Sequence, residues 1–221
     1  MNIKFISITK PILKEIENFD SEQLLSYIAR VSNPSNQMNT LTSAKLLKYC
    51  IKNKHWSVFE HINMTFEITT SLAIATQILR HRSFVFQQFS GRYSKSNLEF
   101  EPIEFRMQDN QNRQNSIEID NNLQSYKLIN FKHAIEQLQT TTVQLYNDML
   151  TFGIAKEVAR FILPQNTSTT LYMTGNLRSW LHYIELRADK ATQKEHRIIA
   201  DSIKEILAKE FISLFGAENE N

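Results

Sequence analysis

Between Gln77 and Ser94 the chain reads Gln-Ile-Leu-Arg-His-Arg-Ser-Phe-Val-Phe-Gln-Gln-Phe-Ser-Gly-Arg-Tyr-Ser, which gathers amides, hydroxyls and cations directly after an apolar stretch. On a helix continued through this point, Gln77 and Arg80 share a face, while His81 and Arg82 point about 100° and 200° further round. Three successive basic side chains would then address two ligands from one helix end. In the strand predicted next, Gln88, Ser90 and Arg92 alternate onto one face, and Gly91 between them admits a ligand close to the backbone. A guanidinium grips phosphate bidentately and an amide matches the edge of a pyrimidine, so this face suits a planar, hydrogen-bonding, phosphorylated molecule. A bare Arg-His-Arg, by contrast, is more often a solvated helix end whose cations favour the C-terminal dipole.

The elements that must position these groups follow from periodicity. Residues 2 to 8 predict a short strand, apolar on both sides and therefore buried. Asp20, with Gln23 at the third helical position, predicts a capped helix through about Val31 that Asn33-Pro34 ends. Thr40 caps a second helix with Leu41, Ala44, Leu47 and Ile51 on its apolar face. Ile62, Met64, Phe66 and Ile68 alternate as a strand, and Ser71 to His81 reads as a short helix. Strands are predicted over Phe84 to Tyr93 and around Leu98 to Phe105. A long helix runs from about Leu123 to Phe152 and stops at Gly153; a shorter one ends near Pro164. Ser168 to Thr174 favours a strand. Leu177, Leu181, Ile184 and Ala188, then Ile198, Ile199, Ile203, Ile206 and Leu207, repeat at helical spacing. The fold class is α+β, helices packed around an antiparallel sheet, in one compact domain over residues 1–221.

Composition narrows the function classes. The chain has 221 residues, 42% of them apolar, which is enough for a sizeable core. From 108 to 124, Asn, Gln and Asp predominate, so a mobile polar surface excursion without a packed face is expected there. No long apolar run and no leader pattern occurs, so a cytoplasmic protein without a membrane contact is expected. The lone Cys50 excludes an internal disulfide. It lies at the edge of an apolar helix face, where free cysteine behaves as a small hydrophobe. His55 and His61 lack a third ligand at usable spacing, so no metal is expected. His133 and His196 fall on predicted helices as surface residues. Net charge is +2, too balanced for a nucleic-acid surface. Phe84, Val85, Phe86 and Phe89 suit core and subunit contacts better than base stacking. No Gly-x-Gly-x-x-Gly is present, so a dinucleotide would not be held in the Rossmann manner. A non-catalytic nucleotide- or RNA-binding module is the alternative function class.

Arg-His-Arg, seven residues, then Ser90-Gly-Arg-Tyr-Ser resembles the signature motif of the flavin-dependent thymidylate synthases. The resemblance extends upstream to His55-Trp-Ser-Val-Phe-Glu-His61. Downstream it takes in Ala159-Arg160-Phe-Ile-Leu-Pro164 and the stretch from Asn176-Leu-Arg178 to Arg187-Ala-Asp189. It implies reductive methylation of dUMP to dTMP, with methylenetetrahydrofolate as carbon donor and FAD, reduced by NADPH, as hydride carrier. It further implies a homotetramer with shared active sites. The matching dUMP positions are Gln77, Arg80, Gln88, Ser90, Gly91, Arg92, Arg160 and Arg187. Arg187 would stabilise the ionised uracil N3, and it and Ser90 are the catalytic candidates. The matching flavin positions are His55, Ser57, Glu60, Arg80, His81, Arg82, Asn176, Arg178 and His182. Arg178 and His182 are four apart, which places them on one helical face opposite Leu177, Leu181 and Ile184. Three departures stand out: Gln87-Gln88 where many members have Asn-Glu, His182 where Asn is common, and Ala191 where some have His.

Overall fold

The computed structural model describes residues 1–95, 98–119 and 125–215. Four strands form one sheet in the order β1-β2-β6-β3: β1 (Asn2–Ile8), β2 (Asn63–Ser71), β3 (Val85–Gln88) and β6 (Ser168–Asn176). The two remaining strands, β4 (Met107–Gln108) and β5 (Ser116–Ile117), pair only with each other. Side-chain pairs mark the register between β2 and β6. Thr65 and Thr174 share a 2.9 Å hydrogen bond, and Thr69 and Thr170 one of 3.0 Å. Opposing residues thus advance on β2 as they retreat on β6, the antiparallel relation that the sequence predicts.

The alternation on β2 is borne out: Met64, Phe66 and Ile68 are fully buried. The expectation for β1 is not. It lies at the sheet edge, and Ile6 is 48% exposed, so only one side of the strand is covered. Charge protects that edge, with Lys4 Nζ 2.7 Å from Glu67 Oε1.

The helices are α1 (Ser21–Ala29), α2 (Ser43–Lys52), α3 (Leu72–Ile78), α4 (Ser125–Phe152), α5 (Lys156–Ala159), α6 (Leu177–Arg187), α7 (Lys194–Glu210) and α8 (Ile212–Phe215). Asp20 and Gln23 form the expected reciprocal capping box on α1. α2 begins at Ser43 rather than after Thr40, and Leu41 is left 95% exposed ahead of it. α4 stops where Gly153 takes φ +99°, with the Ile154 N–H donating back to Met149 O at 2.9 Å.

Two corrections bear on the site. α3 ends at Ile78, so Arg80, His81 and Arg82 stand on the turns that follow and not on a helical wheel. β3 ends at Gln88, so Ser90 and Arg92 lie in a turn closed by Tyr93 N–H to Ser90 O, 3.2 Å. Around Leu98 to Phe105, pairing reduces to the single bridge between Phe100 and Thr167. Within 107–117 the polar residues bond locally, with Asp109 Oδ1 accepting from the Gln111 N–H at 2.8 Å. Residues 120–124 lie outside the described residues.

Two compact units share the chain. One comprises Met1–Asn2, Thr69–Arg80 and Gln87–Leu171; the other comprises Ile3–Ile68, His81–Phe86 and Tyr172–Asn221. In the first, Ile74, Ile78, Tyr146 and Leu171 are buried, while α4 exposes Ile129, Phe131, Leu138 and Leu145. In the second, α1 packs on α2, and α7 packs on α6 and α8. Its centre is aromatic: Trp180 meets Phe66 edge-on at 4.9 Å and Phe84 at 4.6 Å between ring centroids. Truncating a ring of this kind to Ala typically costs about 3–5 kcal/mol.

Candidate active site

In the unit of Ile3–Ile68, His81–Phe86 and Tyr172–Asn221, the site begins where β6 passes into α6. Asn176 caps that helix, its side chain accepting from the Ser179 N–H at 2.9 Å. Beside the cap opens a cavity of about 630 Å³ lined by Trp56, Glu60, Ser83, Asn176, Arg178, Ser179, Leu181, His182 and Glu185. Arg178 and His182 therefore do share a face, and Leu177 and Ile184 are buried behind it. Leu181, expected on the opposing apolar side, lines the cavity instead. Arg178 Nη1 pairs with Glu60 Oε1, joining two predicted residues distant in sequence. Ser57, His55 and Arg82 are exposed, and none of them lines the cavity. His55 sets its ring edge-on to Tyr49 at 5.8 Å.

The turn after α3 is pinned by Phe84, which is 7% exposed. Its ring lies so close to Gly175 that a β-carbon there would come 2.5 Å from Phe84 Cδ1. Only glycine admits this approach, and the Trp180 indole N–H bonds the Gly175 carbonyl at 3.1 Å. The Phe84 anchor fixes His81 three residues earlier, through the Phe84 N–H to His81 O bond of 3.2 Å.

His81 Nε2 accepts from Arg187 Nε at 2.9 Å. Burial, then the charge of Arg187 and that of His182, depress His81 to about 4. His81 is consequently neutral at physiological pH, and neither Nη group of Arg187 has a hydrogen-bond partner among the described residues. Behind this pair, His196 is fully buried, which corrects the expectation of a surface residue. Its Nε2 lies 3.1 Å from Tyr183 Oη, and burial foremost pushes it down to about 3.

The other unit holds most of the predicted nucleotide residues by looser means. Gln77 is half-buried on α3 and Arg80 is exposed. Gln88 Nε2 donates to Thr169 Oγ1 at 3.3 Å, tying its amide to β6. Arg92 N–H donates to Ser90 Oγ at 3.4 Å, so the hydroxyl and Gly91 sit on one tight turn. Arg92 Nε lies 3.3 Å from Glu157 Oε2, and Arg160 Nε donates to the Glu157 carbonyl at 3.3 Å. Glu157 thus gathers two predicted arginines, and Lys156 Nζ joins them by bonding Tyr93 O at 3.0 Å. The result is a cationic cluster beside a hydroxyl-bearing turn, which suits a phosphate.

Several participants were missed from sequence. Glu185 was discoverable, since Arg178, His182 and Glu185 follow the i, i+4, i+7 spacing of one helix face. Trp56, Ser83, Ser179 and Lys156 carry no such signal.

Comparison with known proteins matches residues 16–211 to the family model described as "Thymidylate synthase complementing protein". The "Probable flavin-dependent thymidylate synthase" of Paramecium bursaria Chlorella virus 1 is 49% identical over 218 residues, covering 98% of each chain. The flavin-dependent thymidylate synthase of Synechocystis sp. is 49% identical over 219 residues, covering 98% of this chain and 99% of its own. In fold, the crystal structure of the UMP/dUMP methylase PolB from Streptomyces cacaoi bound with 5-Br dUMP superposes with a TM-score of 0.81. It is 21% identical and covers 97% of this chain and 92% of that one.

Proposed function

The chain belongs to the flavin-dependent thymidylate synthase family, and from that premise we propose that it methylates dUMP to dTMP, taking its carbon from methylenetetrahydrofolate. In this proposal FAD is the resident cofactor and NADPH its reductant. The observation that carries the proposal is the hydrogen bond from Arg187 Nε to neutral His81, which orients a guanidinium fork whose Nη groups have no partner among the described residues.

The donor set fits a flavin dinucleotide. The cavity of about 630 Å³ sets the Trp56 ring and the Leu181 side chain, surfaces for a planar ring system, beside Arg178, a guanidinium for a diphosphate. Asn176 and His182 add hydrogen-bonding groups, and exposed Arg82 a second cation. Glu60 holds Arg178 in place until a ligand competes for it. When bound, reduced flavin supplies the hydride.

The protein's own part is binding and polarisation. Arg80, Arg92 and Arg160 take the phosphate of dUMP, with Ser90 and the Gly91 backbone beside it and the amides of Gln77 and Gln88 available to the base. Arg187 stabilises negative charge at uracil N3, which raises electron density in the ring at the carbon to be methylated. A preorganised charge of this kind requires no reorganisation as the reaction proceeds. His81, being neutral, neither repels that cation nor competes for the anion. Cys50 is 3% exposed and burial pushes its thiol up, which disfavours the thiolate that a covalent route through cysteine would need.

We further propose a cytoplasmic homotetramer. The apolar side chains exposed on α4 support assembly, and no helix among the described residues is long and apolar enough to cross a membrane.

Purified protein should show flavin absorbance and form dTMP from dUMP only when methylenetetrahydrofolate and NADPH are both supplied. Colourless protein that still binds nucleotide but makes no dTMP would favour a binding module and end this assignment.

A further inference from the structure

Three rings from different elements meet behind Arg187. His81 lies on the turn after α3, Tyr183 on α6 and His196 on α7. His81 sits edge-on to Tyr183 with ring centroids 4.9 Å apart, and edge-on to His196 at 6.1 Å. Tyr183 and His196 are both fully buried and bonded to each other at 3.1 Å, beside the buried rings of Trp180 and Phe84. Hydrophobic packing alone does not call for a buried histidine, because an aliphatic residue would fill the space without the cost of desolvating an imidazole.

The geometry also fixes a proton. Arg187 Nε can only donate, so His81 Nε2 must present its lone pair, and the single ring proton of neutral His81 must sit on Nδ1. A proton on Nε2 would set two donors head to head. The charged and titratable groups facing His81 are Arg187, His182, Tyr183 and His196. Among the described residues none of these groups is a carboxylate that would favour the imidazolium. Burial raises the Tyr183 hydroxyl well above its ordinary range, so it stays protonated and available to His196.

We propose that Tyr183 and His196 are positioning residues: the hydrogen bond between them fixes both rings against His81, which holds the imidazole with Nε2 turned to Arg187 and so aims Arg187 at the pyrimidine. They act through His81 and do not touch substrate themselves. The inference rests on the role assigned to Arg187 above, and the experiment separates the two.

FAD-loaded Tyr183→Phe and His196→Gln are compared with wild type. Tyr183→Phe removes one hydroxyl and keeps the ring, while His196→Gln keeps a polar partner for that hydroxyl, so at least one fold-preserving variant is available. Expected is a roughly tenfold loss of kcat/KM for dUMP at unchanged flavin stoichiometry. No further loss is expected when Tyr183→Phe is placed in an Arg187→Ala background. The ¹⁵N spectrum of histidine-labelled holoprotein should show His81 as one tautomer in wild type and as a mixture in Tyr183→Phe. Equal losses in both backgrounds, or an unchanged His81 spectrum in Tyr183→Phe, would overturn the inference. If Arg187→Ala alone keeps wild-type turnover, the parent assignment fails, and the His81 spectrum still decides whether the two residues set the tautomer.

Discussion

The two groups of site residues are built to different standards. In the unit of Ile3–Ile68, His81–Phe86 and Tyr172–Asn221, each of the central groups is held by a second protein group. Arg187 bonds His81, Asn176 caps α6 and Tyr183 bonds His196, whereas the Arg178–Glu60 pair is about half accessible, like the cations of the other unit. In the unit of Met1–Asn2, Thr69–Arg80 and Gln87–Leu171, the cations sit on turns and a short helix. Arg80 is exposed, and the Arg92–Glu157 pair leaves both side chains more than half accessible, at 57% and 56%. Surface pairs of that kind contribute about 0–1 kcal/mol. Under the proposed assignment the difference amounts to a division of labour. Groups that must polarise a ring are preorganised, because misdirection directly raises the barrier. Groups that grip a mobile phosphate can adjust as it arrives.

That contrast is sharpest at Arg187. Arg187→Ala should cut dTMP formation about 100- to 1000-fold while most of the flavin stays bound, as measured by turnover and by the flavin-to-protein absorbance ratio. Wild-type turnover would remove Arg187 from the braced group. Next in size, Arg82→Ala and Arg178→Ala should each weaken FAD retention roughly 10- to 100-fold, the worth of a charge-assisted hydrogen bond. Unchanged stoichiometry after gel filtration in both variants would count against the flavin assignment.

Acid should loosen the braced side first. His81 titrates near 4 when folded against an ordinary 6.5, so the unfolded chain binds the proton more readily. The neutral form therefore contributes stability above about 6.5, and that contribution is lost as pH falls through about 4. His196 extends the loss towards 3. A Tm series across this window should decline, with a shallower slope in His196→Gln; identical slopes would show that the buried histidines are not its source.

Smaller still, Glu157→Ala frees Arg92 and should alter KM for dUMP by no more than a few-fold. A large loss would mean the exposed cluster is as rigidly organised as the other. Cys50→Ala, outside both groups, should retain activity within a few-fold of wild type, and a folded, flavin-loaded but inactive variant would call for covalent catalysis instead.

What could be read from sequence was what local rules decide. The Asp20–Gln23 box, the Met64–Phe66–Ile68 alternation and the stop at Gly153 each depend on a few adjacent residues. Arg178 and His182 were placed together by helical spacing alone. His196 reads as a surface residue because Lys194, Glu195 and Arg197 around it look like a solvated helix start, whereas it is buried against Tyr183 on another helix. The Arg-His-Arg segment reads as a helical continuation, yet α3 ends at Ile78, and Phe84 further along docks against Gly175, a contact distant in sequence. Likewise, Glu157 joins Arg92 to Arg160 across a sequence gap that no periodicity spans.

The pairing of β2 with β6 has a consequence during synthesis. Thr65 meets Thr174 across 109 residues, and Thr69 meets Thr170 across 101. At translation rates of about 5–20 residues per second, β2 waits roughly 5–20 s for its partner, with the ladder groups on that side unmatched. Trp180, which covers Phe66, is made later still. A ribosome stalled between the two strands therefore presents an apolar strand unpaired along one side, and the yield of folded protein should depend on chaperone supply and elongation speed.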